Sequence, residues 1–339
     1  MILRMGAALL LSLGVSLAVG PWLIRRLKRL HFGTVIYELG PAHQQKQGTP
    51  VMGGLMIALG MVLCQLALHP WPWQGGWDPG VGLLLVSLGS MAVGFADDWI
   101  KAVKKRHEGL TPWQKIAGQV LVAAAFACWC YFHPEIGSRI RIPFLNREWD
   151  LGIWYLPVMV LLVIFYVNST NLQDGLDGLL GTITAVSSGT WTVIILIMCT
   201  LGASRENLLP PGIFAIGLAG GCVGYLRFNR YPARVFMGDT GSMLIGGATV
   251  GLAMVLRQPL LLLVIGICPV MSSVSVILQR YYFKLTRRFS ADHQGRRLFR
   301  MSPLHHHFEK KGYSETWIVS MYAGITLIAG LIAVLGVMP

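Results

Sequence analysis

The chain has 339 residues, 54% of them apolar and only 13% charged, with a formal net charge of +13 and a mean hydropathy of +0.58. A soluble globular domain carries about 25% charged residues, so one large water-soluble core is excluded. Apolar runs of roughly 17–25 residues, the length that crosses a bilayer, recur from end to end and leave little sequence for a separate soluble domain.

The pattern predicts an all-α, polytopic membrane protein: one integral domain over residues 1–339 with about ten spans. Span 1 (5–24) has one Arg ahead of it and Arg25, Arg26, Lys28 and Arg29 behind it. It lacks a clear cleavage site and reads as a membrane span rather than a signal peptide. Lys46-Gln47-Gly48-Thr49-Pro50 leads into span 2 (51–69), and Trp71, Trp73 and Trp77 follow. Span 3 (80–96) ends on Asp97-Asp98, with Lys101, Lys104, Lys105 and Arg106 close behind. After span 4 (112–132), the short alternating pieces between Arg139 and Gly152 predict an outer β-hairpin. Span 5 (153–170) runs into Asn171-Leu172-Gln173-Asp174-Gly175-Leu176-Asp177-Gly178, and span 6 (178–200) starts there. Span 7 (211–227) holds Gly217, Gly220, Gly221 and Gly224, which allow close helix contact. A loop with Asn229 and Phe236 then reaches Gly238-Asp239-Thr240-Gly241-Ser242 and span 8 (241–256). Pro269 predicts a kink in span 9 (260–283). His305-His306-His307 precedes span 10 (317–337). The six cysteines all fall inside spans without zinc-ligand spacing and read as packing residues.

With both termini outside, the loops after odd-numbered spans are cytoplasmic and hold 22 of the 28 Lys and Arg residues, as the positive-inside rule requires. The outer loops hold Trp149 and Trp154 besides the tryptophans after span 2, as expected of interfacial anchors. The positive charge therefore reads as topology plus contact with anionic membrane lipid, not as nucleic-acid binding.

Five of the 15 carboxylates sit at three span junctions, all on the cytoplasmic side of this topology. Carboxylates are costly beside hydrocarbon, so a cation or a reaction is needed to explain them. Adjacent Asp97 and Asp98 can divide labour, one taking a proton while the other holds a metal or a base. Asp174 and Asp177, three apart, would share a helical face if span 6 begins there. Gly175 and Gly178 permit the close backbone approach that a nucleotide or phosphate needs. Asp239 enters a helix on a glycine-rich turn, an anion site where a carboxylate is tolerated beside phosphate if magnesium lies between. Phe236 is placed to stack on a base or to anchor its loop in the headgroups. Three adjacent histidines cannot all point one way, so a three-histidine zinc site is disfavoured and contact with phosphate or sugar is expected.

Taken in order, the Asp97-Asp98 pair with Lys101, the stretch from Asn171 to Leu179, that from Phe236 to Ser242, and Pro303-Leu304-His305-His306-His307-Phe308-Glu309 closely resemble the polyprenyl-phosphate N-acetylhexosamine-1-phosphate transferases. The resemblance covers essentially the whole chain, and the histidine motif looks like that of the muramoyl branch. It implies a bacterial inner-membrane enzyme facing the cytoplasm, using magnesium to join UDP-N-acetylmuramoyl-pentapeptide to undecaprenyl phosphate, with lipid I and UMP as products. It implies Asp239 as metal ligand and Asp98, supported by Asp97, as the group that deprotonates or orients the lipid phosphate. Lys46, Asn171, Asp174, Asp177, Asn229 and Phe236 would hold the uridine diphosphate, while Lys101, Lys105, His305, His306 and His307 would meet phosphates or sugar. The same carboxylates would serve a one-step displacement or a covalent phospho-aspartyl route. A homodimer through apolar spans 1 and 10 is compatible with this reading. A secondary transporter is the rival from another class, but its acids belong at the midplane between repeated halves. Within the enzyme class the rival substrate is a UDP-N-acetylglucosamine.

Overall fold

The computed structural model describes residues 1–30, 48–70, 78–104, 108–145, 147–289 and 294–338; Lys46, Trp71, Trp73, Trp77, Lys105 and Arg106 lie outside them. The helices are α1 (Ile2–Arg29), α2 (Gly54–Leu68), α3 (Pro79–Lys104), α4 (Pro112–Phe132), α5 (Tyr155–Gln173), α6 (Leu179–Thr200), α7 (Arg205–Asn229), α8 (Gly238–Val255), α9 (Pro259–Ile265), α10 (Ile267–Phe289), α11 (Leu304–Glu309) and α12 (Glu315–Leu335). The protein is an all-α, polytopic membrane protein. Among the described residues seven helices are long and apolar enough to cross a bilayer, and α9 with α10 makes an eighth if the bent pair counts as one span.

The two expected spans that miss this threshold do so for different reasons. Helix α2 has only 15 residues, about 22 Å at 1.5 Å per residue. Helix α8 is enclosed: every residue from Thr240 to Val255 is buried, against α2, α3, α5 and α9. A helix with no lipid-facing side can carry Thr240, Ser242, Thr249 and five glycines where an outer helix would need leucine. Small residues likewise bring α7 against its neighbours, since a side chain at Gly220 would strike the Leu9 carbonyl of α1 and one at Gly221 would press on Ile57 of α2.

Local sequence sets the helix ends. Thr111 and Gln114 form a reciprocal capping box at the start of α4 with Pro112 in its first turn, and Ser314 caps α12. The kink expected at Pro269 is an 84° break between α9 and α10, centred at Gly266, where a side chain would collide with the Tyr166 ring. Pro269 lies in the first turn of α10, where its missing N–H costs nothing.

The hairpin expected from residues 139–152 forms as antiparallel strands β1 (Arg139–Ile142) and β2 (Arg147–Asp150), with Arg139 opposite Asp150. It is tied to the end of α8 by Arg141 N–H donating to the Arg257 carbonyl (2.8 Å) and by an Arg257–Glu148 ion pair (2.8 Å). Phe144 N–H donates to the Gly336 carbonyl beyond α12, and Met1 Sδ lies 3.5 Å from Cys199 Sγ near the end of α6. Both termini therefore sit at the hairpin end. The other end gathers the close of α3, α5 and α7 and the start of α2, α4, α6, α8 and α12, together with the acidic motifs.

Candidate active site

Helices α3 and α8 cross where both can approach closely. A side chain at Gly94 would collide with the Asp239 carbonyl, and one at Gly238, whose φ is +73°, would lie 2.5 Å from Asp98 Oδ2. That space lets Asp98 Oδ2 accept from both the backbone N–H (2.9 Å) and the hydroxyl (2.7 Å) of Thr240. Asp98 thus satisfies donors that the first turn of α8 leaves open. The Asp pair does not end its helix, as the sequence suggested. Helix α3 continues to Lys104, because Lys101 and Lys104 favour a helix C-terminus and turn its last two turns polar.

Asp239 is the hub. Its Oδ2 lies 2.7 Å from Lys115 Nζ and 3.2 Å from Lys101 Nζ. Its Oδ1 accepts from Asn171 Nδ2 (2.7 Å), which also reaches Ser242 Oγ (2.9 Å). Lys101 simultaneously lies 2.5 Å from Asp97 Oδ2, while Asp97 Oδ1 accepts from Leu110 N–H (2.9 Å). Carboxylate oxygens of Asp97, Asp98 and Asp239 all fall within 4.8 Å of one another. Three hard, anionic oxygens at that spacing could share one divalent cation, and the two lysines offset their charge otherwise.

The acidic turn after α5 sits beside this hub. Asp174 and Asp177 would share a helical face only if span 6 began at them; Asp174–Gly178 is a turn and α6 begins at Leu179, close to the expected start at 178. Gly178 takes φ of +78°, a left-handed conformation that interrupts the helix and that glycine adopts without strain. Asp177 is buried; its Oδ2 accepts from Ala233 N–H (2.9 Å) and its own N–H donates to Glu315 Oε2 (3.1 Å). Asn229 accepts from Gly178 N–H (3.0 Å) and donates to the Val235 carbonyl (2.9 Å). These two side chains brace the turn. Burial, with repulsion from Asp239, Asp98 and Asp177, pushes the Asp174 carboxyl up to about 8, because each of these disfavours a further negative charge there.

Phe236 is half-buried, and its backbone pairs with Pro50 O and Gly53 N (2.8 Å each), which brings the end of the Lys46–Pro50 motif to the same place. The three histidines diverge, as expected of adjacent helical residues. His305 is fully buried with its ring against Gly175, where any side chain would strike it. Among the described residues neither of its ring nitrogens has a hydrogen-bond partner; burial and the neighbouring His306 hold it well below the usual imidazole range. His306 Nδ1 bonds Glu309 Oε2 (2.8 Å), and His307 Nδ1 accepts from Arg300 N–H (3.1 Å).

The profile of glycosyl transferase family 4 matches residues 81–257, the segment that contributes all three carboxylates of the hub. The chain is 41% identical to the phospho-N-acetylmuramoyl-pentapeptide-transferase of Heliobacterium modesticaldum, over 99% of its own length and 98% of that relative. It is 40% identical to those of Clostridium perfringens, over 96% and 94%, and of Solidesulfovibrio magneticus, over 96% and 90%. The chain belongs to the phospho-N-acetylmuramoyl-pentapeptide transferases of glycosyl transferase family 4.

In this transferase the structure brings Asp97, Asp98, Lys101, Asn171 and Asp239 into one polar cluster, with Asp174 electrostatically coupled to it and His305 packed on its turn. Lys46 and Lys105 lie outside the described residues. Sequence reasoning missed Lys115, which touches Asp239 from the first turns of α4, because a lone lysine there carries no motif and counted only towards charge asymmetry. It also missed Thr240 and Ser242 as partners of Asp98 and Asn171, although both stand in the quoted Phe236–Ser242 motif.

Proposed function

We propose that this enzyme transfers phospho-N-acetylmuramoyl-pentapeptide from its UDP conjugate to undecaprenyl phosphate, with magnesium, at the cytoplasmic face of a bacterial inner membrane. The observation that carries this reading is the convergence of Asp97, Asp98 and Asp239 within 4.8 Å at one end of the helical bundle. One substrate is a membrane lipid and the other a soluble polyanion, so the site must lie at a membrane surface and neutralise charge. The loops at the acidic end hold most of the Lys and Arg residues, which supports a cytoplasmic orientation.

In the reaction an oxygen of the lipid phosphate forms a bond to the sugar-linked phosphorus, the bond from that phosphorus to the UMP oxygen breaks, and UMP departs with the electron pair. Phosphoryl transfer of this kind depends on in-line placement and charge neutralisation more than on covalent chemistry by the protein. Asp97, Asp98 and Asp239 would hold magnesium, which would neutralise the diphosphate. Asp98, braced by Thr240, orients the lipid phosphate, with Asp97 supporting it. Lys101 and Lys115, on Asp239, are the ammonium groups that would meet substrate phosphate oxygens. Asn171, Asp174 and Phe236 face the uridine diphosphate, with Asp177 and Asn229 holding their turn in shape.

The test is purified protein with undecaprenyl phosphate and either UDP-N-acetylmuramoyl-pentapeptide or UDP-N-acetylglucosamine, with and without magnesium, read as UMP release. Release is expected from the muramoyl conjugate alone and only with the cation. Release from the N-acetylglucosamine conjugate instead, or equal release in chelator, would overturn the assignment.

A further inference from the structure

Below the polar cluster, one turn deeper in the bundle, Gln119 of α4 and Asn168 of α5 form a reciprocal amide pair. Asn168 Nδ2 donates to Gln119 Oε1 (2.8 Å) and Gln119 Nε2 donates to Asn168 Oδ1 (3.3 Å). Asn168 Nδ2 also reaches the Ile164 carbonyl of its own helix (2.8 Å), which fixes the rotation of its amide. Gln119 is buried. Gln119 lies four residues beyond Lys115 and Asn168 three residues before Asn171, so each pair shares one helix face. Lys115 and Asn171 are the residues that grip opposite oxygens of Asp239, each at 2.7 Å.

The transverse and axial position of α4 therefore decides whether Lys115 reaches Asp239. Shape fixes that helix on α3, where Val122 fills the space over Gly89 and Trp129 that over Gly82. It also packs on α5 and turns Trp113, Ile116, Val120 and Leu121 outward, and apolar side chains among lipid tails have little preference between neighbouring registers. A directional amide pair does have such a preference, because a one-turn slip leaves both amide atoms of buried Gln119 and the Oδ1 of half-buried Asn168 without their partners.

We infer that Gln119 and Asn168 are positioning residues that lock the register of α4 on α5, so that Lys115 and Asn171 hold the Asp239 carboxylate from two sides. This rests on the reading of Asp239 as the centre of the site, but its first readout does not. Wild type, Gln119→Leu and the exchange variant Gln119→Asn/Asn168→Gln would be treated in detergent with an amine-acetylating ester, and modification at Lys115 and Lys101 followed by mass spectrometry. Lys101 sits on α3 and contacts the same Asp239 carboxylate, so it reports any general loosening. In Gln119→Leu, acetylation of Lys115 should rise at least fivefold while Lys101 stays within twofold, and the exchange variant should return Lys115 to the wild-type rate. Turnover of Gln119→Leu should show kcat down about tenfold with KM for the UDP-sugar within twofold, recovered in the exchange variant. Lys115 and Lys101 rising together, or neither rising, would overturn the inference. Absence of UMP release from the wild type would instead overturn the proposed reaction and leave the acetylation result to decide the register lock.

Discussion

Asp98 and Thr240, 142 positions apart in the chain, are joined through a single carboxylate oxygen that accepts both the backbone N–H and the hydroxyl of the threonine. The bond to the hydroxyl belongs to the active-site geometry, and the bond to the N–H to the start of α8. Thr240→Val keeps the second and removes the first. A hydrogen bond to a charged group contributes about 1.5–3 kcal/mol, so thermal unfolding in detergent should show a loss in that range. UMP release should fall about tenfold or more because Asp98 loses its orientation. Unchanged turnover with reduced stability would confine Thr240 to a structural role.

Gly94 is where α3 lets the Asp239 backbone pass. Gly94→Ala places a methyl group against the Asp239 carbonyl, and overpacking of this kind costs about 1–3 kcal/mol. The strain falls on the carbonyl of the hub residue itself. Turnover should drop by about a hundredfold, the scale on which a small misplacement acts, while far-ultraviolet circular dichroism remains that of the wild type.

Lys115→Met removes one of the two cations that the described residues place beside Asp239 and keeps the length of the side chain. The carboxylate then loses a partner at 2.7 Å without gaining one. Turnover should fall by about a hundredfold or more at saturating magnesium, and Lys115→Arg should not restore it fully, since a planar guanidinium cannot fill an ammonium site of that size. Activity of Lys115→Met within threefold of wild type would remove Lys115 from the reaction.

His305 supplies a pH dependence with a definite sign. Burial and His306 hold its ring below the ordinary imidazole range, so the folded protein keeps it neutral where the unfolded chain, at about 6.5, has begun to take a proton. The unfolded state binds more protons below that pH, and stability must fall as the pH drops through it, by up to about 1.4 kcal/mol per pH unit for this one group. The thermal midpoint of the wild type should therefore decline between pH 6.5 and 5 more steeply than that of His305→Gln. Parallel curves would show that the ring is not held neutral.

The sequence alone determined the membrane class, the hairpin, the order of the helices and the gathering of the acidic motifs at one end, because each follows from local rules. Run length against bilayer thickness gives spans, and alternation of spans then assigns every loop to one end or the other. Tertiary structure decided what needs distance rather than order. Only packing could show that α8 is sheltered on all sides and so tolerates polar and glycine residues, or that glycine at 94 and 238 is what lets Asp98 and Asp239 share a site. Nothing near Lys115 or Gln119 in the chain announces a partner, since the residues they meet, Asp239 and Asn168, are 124 and 49 positions away. The sequence leaves the Asp174–Gly178 stretch open for a related reason: spacing of three suits a helical face, and only the left-handed backbone at Gly178 and the brace from Asn229 select the turn.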